Sequence, residues 1–201
     1  MQYNKRGDIM PPKQKITREM ILDAGYRLVI QEGFESINAR NIAKLLLCST
    51  QPIFSQFPNM DDLKQSIHDY ACEIFEQDVM SNEGYESFFQ SGYKKLVKLA
   101  KEERNVFKLI FLSEFCLGKD FLQTRMNYKS NLKIAEEFTQ KYALDKDECY
   151  ELVEKISLLV HGIATSIATT KIDFDDDEIA QVIETSLADT VNGIKGRRKQ
   201  L

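Results

Sequence analysis

The chain is poor in the residues that interrupt helices. Its 201 residues include nine glycines and four prolines, and no proline follows Pro58. Strand-rich folds need turn residues at short intervals, so this scarcity argues against them and leaves the C-terminal two-thirds free to be helical throughout. The four cysteines, Cys48, Cys72, Cys116 and Cys149, have no paired spacing. They read as free thiols of a reducing compartment, with redox sensing left open. There are two histidines; His68 stands one helical turn from Cys72, but a closed zinc site lacks further partners, so no metal is expected. A Gly-rich phosphate loop, a nucleophile elbow and a Cys-x-x-Cys pair are all missing, so no motif carries catalysis and no cofactor is expected. The opening MQYNKRGDIMPPKQK has no apolar core, and no run approaches the roughly 18 apolar residues of a membrane span. The expectation is a cytoplasmic protein.

Charge is unevenly spread. The net charge is −4 and the pI near 5.4. Residues 1–60 nevertheless hold eight Lys or Arg against five Asp or Glu, whereas residues 61–201 hold nineteen against twenty-six. Polyanions are bound through neutralised phosphates, so a nucleic acid would meet the first part of the chain. Lys5, Arg6, Lys13, Lys15 and Arg18 form a basic leader. It either tracks a phosphate backbone or minor groove or is a solvated terminus.

Residues 38–63, NARNIAKLLLCSTQPIFSQFPNMDDL, are the most informative stretch. Asn38, Ser49 and Asn59 each offer a side-chain oxygen to an orphan amide at a helix start. Flanking pairs, Ile37 with Ile42, Cys48 with Ile53 and Pro58 with Leu63, have the spacing of hydrophobic staples. Thr17 begins an earlier helix in the same way, between Ile16 and Ile21, ahead of an apolar face of Met20, Ala24 and Leu28. In the third short helix Ile53 and Phe57 face inward, Pro52 falls in the first turn where a missing amide matters little, and Thr50, Gln51, Ser55 and Gln56 face out. Three short helices with tight turns, the last presenting small polar side chains, suit a DNA major groove about 12 Å wide. A small helical bundle with a polar surface has the same periodicity.

The stretch from about residue 15 to 68 resembles the N-terminal domain of TetR-type transcriptional regulators. That pattern is E-G-aromatic, an I-A pair, then S-x-x-x-[LI]-[YF]-x-x-F-x-x-[KM]-[DE]-x-L. The chain supplies Glu32, Gly33 and Phe34, Ile42 and Ala43, and Ser49, Ile53, Phe54, Phe57, Asp61 and Leu63. The resemblance implies an all-α homodimer: a three-helix head with a helix-turn-helix at 15–62 behind a leader at 1–14, an effector-binding and dimerisation body at 63–195, and a basic tail at 196–201. It implies DNA contacts from Asn38, Arg40, Ser49, Thr50, Gln51, Pro52, Phe54, Ser55, Gln56 and Lys64. Three positions depart from the pattern. Phe54 replaces the usual Tyr and loses a phenolic phosphate contact. Met60 replaces a phosphate-clamping Lys, a role Lys64 is placed to assume. Leu47 stands where a small residue is usual, and demands room.

Beyond residue 63 helical patterns follow one another, with breaks at SNEGYES and near Leu117, Gly118 and Lys119. Leu63, Ile67, Tyr70, Ala71 and Ile74 form a stripe linking head to body. A helix from about Tyr85 to Lys101 carries Phe88, Phe89, Tyr93, Leu96 and Val97. Phe107, Phe111 and Phe115 recur every four residues, which predicts three rings on one side of a helix. Such rings either fill a core or line a ligand pocket. The resemblance implies a pocket for a small apolar effector, with Phe89, Tyr93, Phe107, Phe111, Phe115, Met126 and Tyr128 as its lining.

Residues 147–169 are apolar on more than one face, so that helix needs cover on two sides. A following stripe contains Ile179, Val182, Ile183, Leu187, Val191 and Ile194, and Gly162, Ala164 and Ala168 permit close helix approach. The pair resembles the dimerising helices of the same family, and His161-Gly162 resembles a motif in part of it. Leu152, Ile156, Val160, Ile163, Ala164, Ile167, Val182, Leu187 and Val191 are the expected interface; an ordinary buried hairpin is the alternative. Asp173, Asp175, Asp177 and Glu184 mimic a calcium loop, but Glu178 stands where that loop needs Gly. Acids opposing a helix dipole are the simpler account. The expectation is a repressor that binds a two-fold symmetric operator in double-stranded DNA and is released by a small effector. A regulator without effector, controlled by a protein partner or by abundance, is the second reading, and an enzyme with an unrecognised site the third.

Overall fold

The computed structural model describes residues 15–116, 128–170, 172 and 174–198. Among them every regular element is helical: α1 (Arg18–Glu32), α2 (Ala39–Leu45), α3 (Gln51–Gln56), α4 (Met60–Ser81), α5 (Phe88–Glu102), α6 (Arg104–Leu112), α7 (Lys129–Tyr142), α8 (Lys146–Thr169) and α9 (Asp176–Arg198), with 3-10 turns at Phe34–Ser36 and Glu114–Cys116. The leader before residue 15, Met126, and the last three residues of the tail lie outside the described residues, as do Lys5, Arg6, Lys13, Leu117, Gly118, Lys119 and Asp173.

Three of the four N-caps act as the residue types demand. Thr17 accepts from the Met20 amide, Asn38 from Asn41 and Asn59 from Asp62. Ser49 does not cap α3: the helix starts after Thr50, which makes no side-chain cap bond. The turn before it is closed by backbone alone. The Cys48 amide donates to the Ala43 carbonyl at 3.0 Å and the Leu47 amide to Lys44 at 3.3 Å, a Schellman motif with Leu47 left-handed at φ 51°. Leu47 therefore strains the backbone rather than the packing, since its side chain is 94% exposed. The Ile37–Ile42 staple is buried on both sides, whereas Pro58 is exposed and leaves Leu63 to the interior alone.

Two apolar clusters form. The first joins Ile21, Leu28, Ile42, Ile53, Phe57, Leu63 and Ile67 with Val106, Leu109 and Ile110. It thus recruits α6 from far along the chain and runs into α4, which is continuous across residue 62. Arg18 belongs here and not to a free leader. Its guanidinium lies 4.3 Å from the centre of the Phe57 ring and donates to the Ser66 hydroxyl at 2.9 Å. Gly25 lets α1 and α4 touch, since a Cβ there would sit 2.3 Å from Ile67 Cδ1.

The second cluster packs α5, α7, α8 and α9 around Phe107, Phe138, Leu152, Ile156, Ala164, Ile167 and Ile183. Phe75, Leu99 and Phe111 border both clusters. α4 ends with Asn82 left-handed, and its last carbonyls are taken by α5: Ser91 Oγ donates to Val79, and Lys95 Nζ donates to Asp78 and sits 3.1 Å from that carboxylate. α8 opens with a capping box of Asp145 and Glu148. α9 runs antiparallel to it and extends through Arg198, past the expected tail boundary, because Arg197 pairs with Glu151 at 2.7 Å and Arg198 with Glu148. At the start of α9, Asp175 accepts from the amides of Asp177 and Glu178, so this acid serves the helix start. Among the described residues α8 alone has the length and hydropathy of a membrane span, yet Leu152, Val153, Ile156 and Val160 are buried against neighbouring helices.

Candidate nucleic-acid interface and body cavity

Ile53 and Phe57 anchor α3 by full burial. That fixes its rotation and leaves Gln51, Phe54, Ser55 and Gln56 exposed, with Thr50 and Pro52 half-buried at its start. Asn38, Arg40, Asn41, Thr50 and Phe54 share one groove between α2 and α3. Asn38 and Arg40 are exposed there, and Ser49 is exposed in the turn. Phe54 is 48% exposed at the groove, where it offers an apolar face of the kind that meets a thymine methyl. Ser55 Oγ donates to the Pro52 carbonyl at 2.7 Å, so its lone pairs remain outward as acceptors. Lys64 lies elsewhere: its ammonium is 5.2 Å from the centre of the Phe34 ring, and Phe34 stacks edge-on against Phe115. The surface combines one cation, several amides and hydroxyls, and one exposed ring.

The body encloses a cavity of about 90 Å³ between α4, α5, α6, α7 and α8. Of the expected ligand-lining residues, Phe89, Tyr93, Phe111 and Tyr128 reach it. Phe107 does not: it is fully buried against Phe111, with ring centres 5.0 Å apart. Phe115 does not either. α6 ends at Leu112 and Ser113 turns to extended geometry, which carries Phe115 away to Phe34 and to His68. Periodicity placed Phe107 on the ligand side because it cannot tell core from pocket, and Phe115 because it cannot see where a helix stops.

Sequence reasoning missed the cavity's polar groups: Glu76, Ser130, Asn131, Ser157 and His161. Glu76 is fixed by its structural task, accepting from both the amide and the hydroxyl of Ser130 at 2.7 Å and so capping α7 from a different helix. His161 packs edge-on to Phe111, ring centres 4.9 Å apart. Tyr93 donates to Glu184 at 3.1 Å, and burial together with that carboxylate pushes its pKa well above the ordinary phenol range. Their partners lie 54 residues away for Glu76 with Ser130 and 91 for Tyr93 with Glu184, so these groups give no local motif.

A third cluster lies beside the cavity wall. His68 is buried, with Nε2 3.7 Å from Cys72 Sγ and 3.7 Å from Cys116 Sγ, and Nδ1 3.2 Å from the Asp69 carboxylate. Burial alone would lower its pKa, but Cys116, Cys72 and Asp69 favour the imidazolium and push it up to about 11.

The expected dimer residues are mostly used inside the protomer. Leu152, Ile156, Val160, Ala164, Ile167, Leu187 and Val191 are all buried in its own core. Exposures of 0% to 6% leave each of them little area for a partner. Val182, 49% exposed, and half-buried Ile163 remain outward, joined by Leu158 at 47%. Gly162 and Gly193 have open space where a Cβ would stand. Protein-family models give no match to the chain, and proteins of curated function give none either.

Proposed function

We propose that the protein is a DNA-binding transcriptional regulator of TetR type, in which α2, the Schellman turn and α3 act as a helix-turn-helix. The observation that carries the reading is the rotation of α3. With Ile53 and Phe57 fully buried, Gln51, Ser55 and Gln56 form a polar outer edge beside Asn38 and Arg40. In a major groove Gln51 and Gln56 pair with adenine edges, Phe54 packs on a thymine methyl, and Arg40 and Asn38 hold phosphates. Two copies joined through the outward faces of α8 and α9, around Leu158, Gly162, Val182 and Gly193, read a two-fold symmetric operator. As a repressor, the dimer blocks transcription when bound. Selection of bound fragments from random DNA tests the reading, and a symmetric enriched sequence is the expected result.

The body cavity suits a ligand that tunes this binding. α6 is the lever, with Phe111 on the cavity while Val106, Leu109 and Ile110 lie in the first cluster. A ligand acts only by preferring one arrangement of heads. The volume of about 90 Å³ is well below the roughly 300 Å³ of a drug-sized site, which limits any effector to a few non-hydrogen atoms. That size favours a second form of the reading, a regulator without a large organic effector.

A further inference from the structure

We propose that Cys72 and Cys116 are a peroxide-responsive thiol pair, with His68 between them as the group that takes and returns protons. Two sulfurs from different elements, α4 and the Glu114–Cys116 turn, stand at the same distance, 3.7 Å, from one nitrogen, His68 Nε2. They are therefore no farther apart than twice that distance. The two thiols differ in what they do with their protons. Cys116 Sγ donates to the Ile110 carbonyl at 2.6 Å and so holds its hydrogen. Cys72 Sγ meets the His68 ring. Asp69 accepts from Nδ1, which orients the ring and sets a proton-carrying imidazole beside the Cys72 sulfur. Cys72 also lines the body cavity, which is ample for a peroxide, because a water molecule needs only about 10–15 Å³. Cys48, out in the helix turn, and Cys149, buried against Thr139, have no imidazole partner.

The chemistry closes in two steps with hydrogen peroxide or a small organic hydroperoxide as oxidant. The Cys72 thiolate attacks a peroxide oxygen; an S–O bond forms, the O–O bond breaks, and the leaving oxygen takes the His68 proton and departs as water or alcohol. Cys72 is then a sulfenic acid. The Cys116 sulfur attacks the Cys72 sulfur; the S–S bond forms, the S–O bond breaks, and hydroxide leaves as water with the Cys116 proton relayed through His68. The sulfurs lose two electrons and the peroxide gains them. The disulfide ties the middle of α4, which borders both apolar clusters at Phe75, to the turn that follows α6. An effect of that tie on DNA affinity rests on the regulator reading; the disulfide itself does not.

The test uses the full chain, reduced, freed of reductant and treated with a small excess of hydrogen peroxide in the presence of a chelator. Expected results are loss of two of the four thiols, a non-reducing peptide map joining Cys72 to Cys116, and reversal by dithiothreitol. Cys72 should react roughly tenfold or more faster than Cys48, because the His68 imidazole beside it can protonate the leaving oxygen. Cys116→Ser should stop at a sulfenic acid on Cys72 that dimedone traps, and His68→Asn should slow the reaction while leaving the helical spectrum intact. Wild-type mapping decides even where a variant folds poorly. The proposal is overturned by Cys72 running on to sulfinic acid with Cys116 still free, by all four thiols reacting at equal rates, or by a disulfide elsewhere. Because the readout needs no DNA, failure here leaves the regulator reading standing, and failure to bind DNA leaves the thiol pair standing.

Discussion

Leu47→Gly should stabilise the protein, and its size follows from two features of one residue. Leu47 sits at φ 51°, where a Cβ crowds the following carbonyl at a penalty of about 1–2 kcal/mol that glycine escapes. Glycine loses more chain entropy on folding, about 0.5–1 kcal/mol. No packing offsets the exchange, because the leucine side chain is 94% exposed. The net gain is about 0.5–1 kcal/mol, or roughly 1–4 °C in melting temperature for a chain of this length. Chemical denaturation of wild type, Leu47→Gly and Leu47→Ala measures it. Alanine removes the same exposed side chain but keeps the left-handed penalty, so it should gain nothing. Equal stability of the glycine and alanine variants would show that the turn does not hold Leu47 left-handed, and the Schellman account would fail.

Other perturbations probe the remaining parts. Gly25→Ala drives a methyl into Ile67 at the α1–α4 crossing and should cost about 1–3 kcal/mol, read by the same denaturation. Glu76→Gln weakens the cap on α7 by replacing a charged acceptor at a helix start, with an expected loss of about 1 kcal/mol. Ala164→Glu should unfold the protomer, because that site lies in its core, whereas Val182→Glu and Leu158→Glu should yield folded monomers; sedimentation together with circular dichroism separates the two outcomes. Arg40→Ala should weaken binding to all DNA sequences alike and lower the salt slope by about 1, whereas Gln51→Ala should change base preference; titrations across salt and sequence distinguish them.

Local chemistry in the sequence accounts for the caps Thr17, Asn38 and Asn59, and periodicity for the inward Ile53 and Phe57. It failed where backbone bonding or distant contacts decide. Ser49 has the right residue type for a cap, but the backbone bonds of Cys48 and Leu47 had already closed that turn. Phe115 continues a four-residue series, yet α6 stops at Leu112 without Gly or Pro, and packing against Phe34 redirects the chain. The apolar stripes of α8 and α9 were legible, but an apolar stripe does not say whether it faces its own protomer or a partner. Here most large aliphatic side chains face inward, and the outward residues are largely charged or polar, with Leu158, Val182, Gly162 and Gly193 among them. The Cys72–His68–Cys116 cluster had only its i,i+4 half visible, since Cys116 joins it from 48 residues away.

The central claim is that α3 reads DNA, and the most direct measurement is selection from random double-stranded DNA by the full chain, followed by titration of the enriched sequence with wild type and Gln51→Ala. The account predicts a two-fold symmetric sequence with half-sites related by the dimer, bound in a salt-dependent manner, and a changed preference at one base pair of each half-site in the variant. Enrichment of no sequence, or an enriched sequence bound equally well and with the same preference by Gln51→Ala, Gln56→Ala and Arg40→Ala, would contradict it.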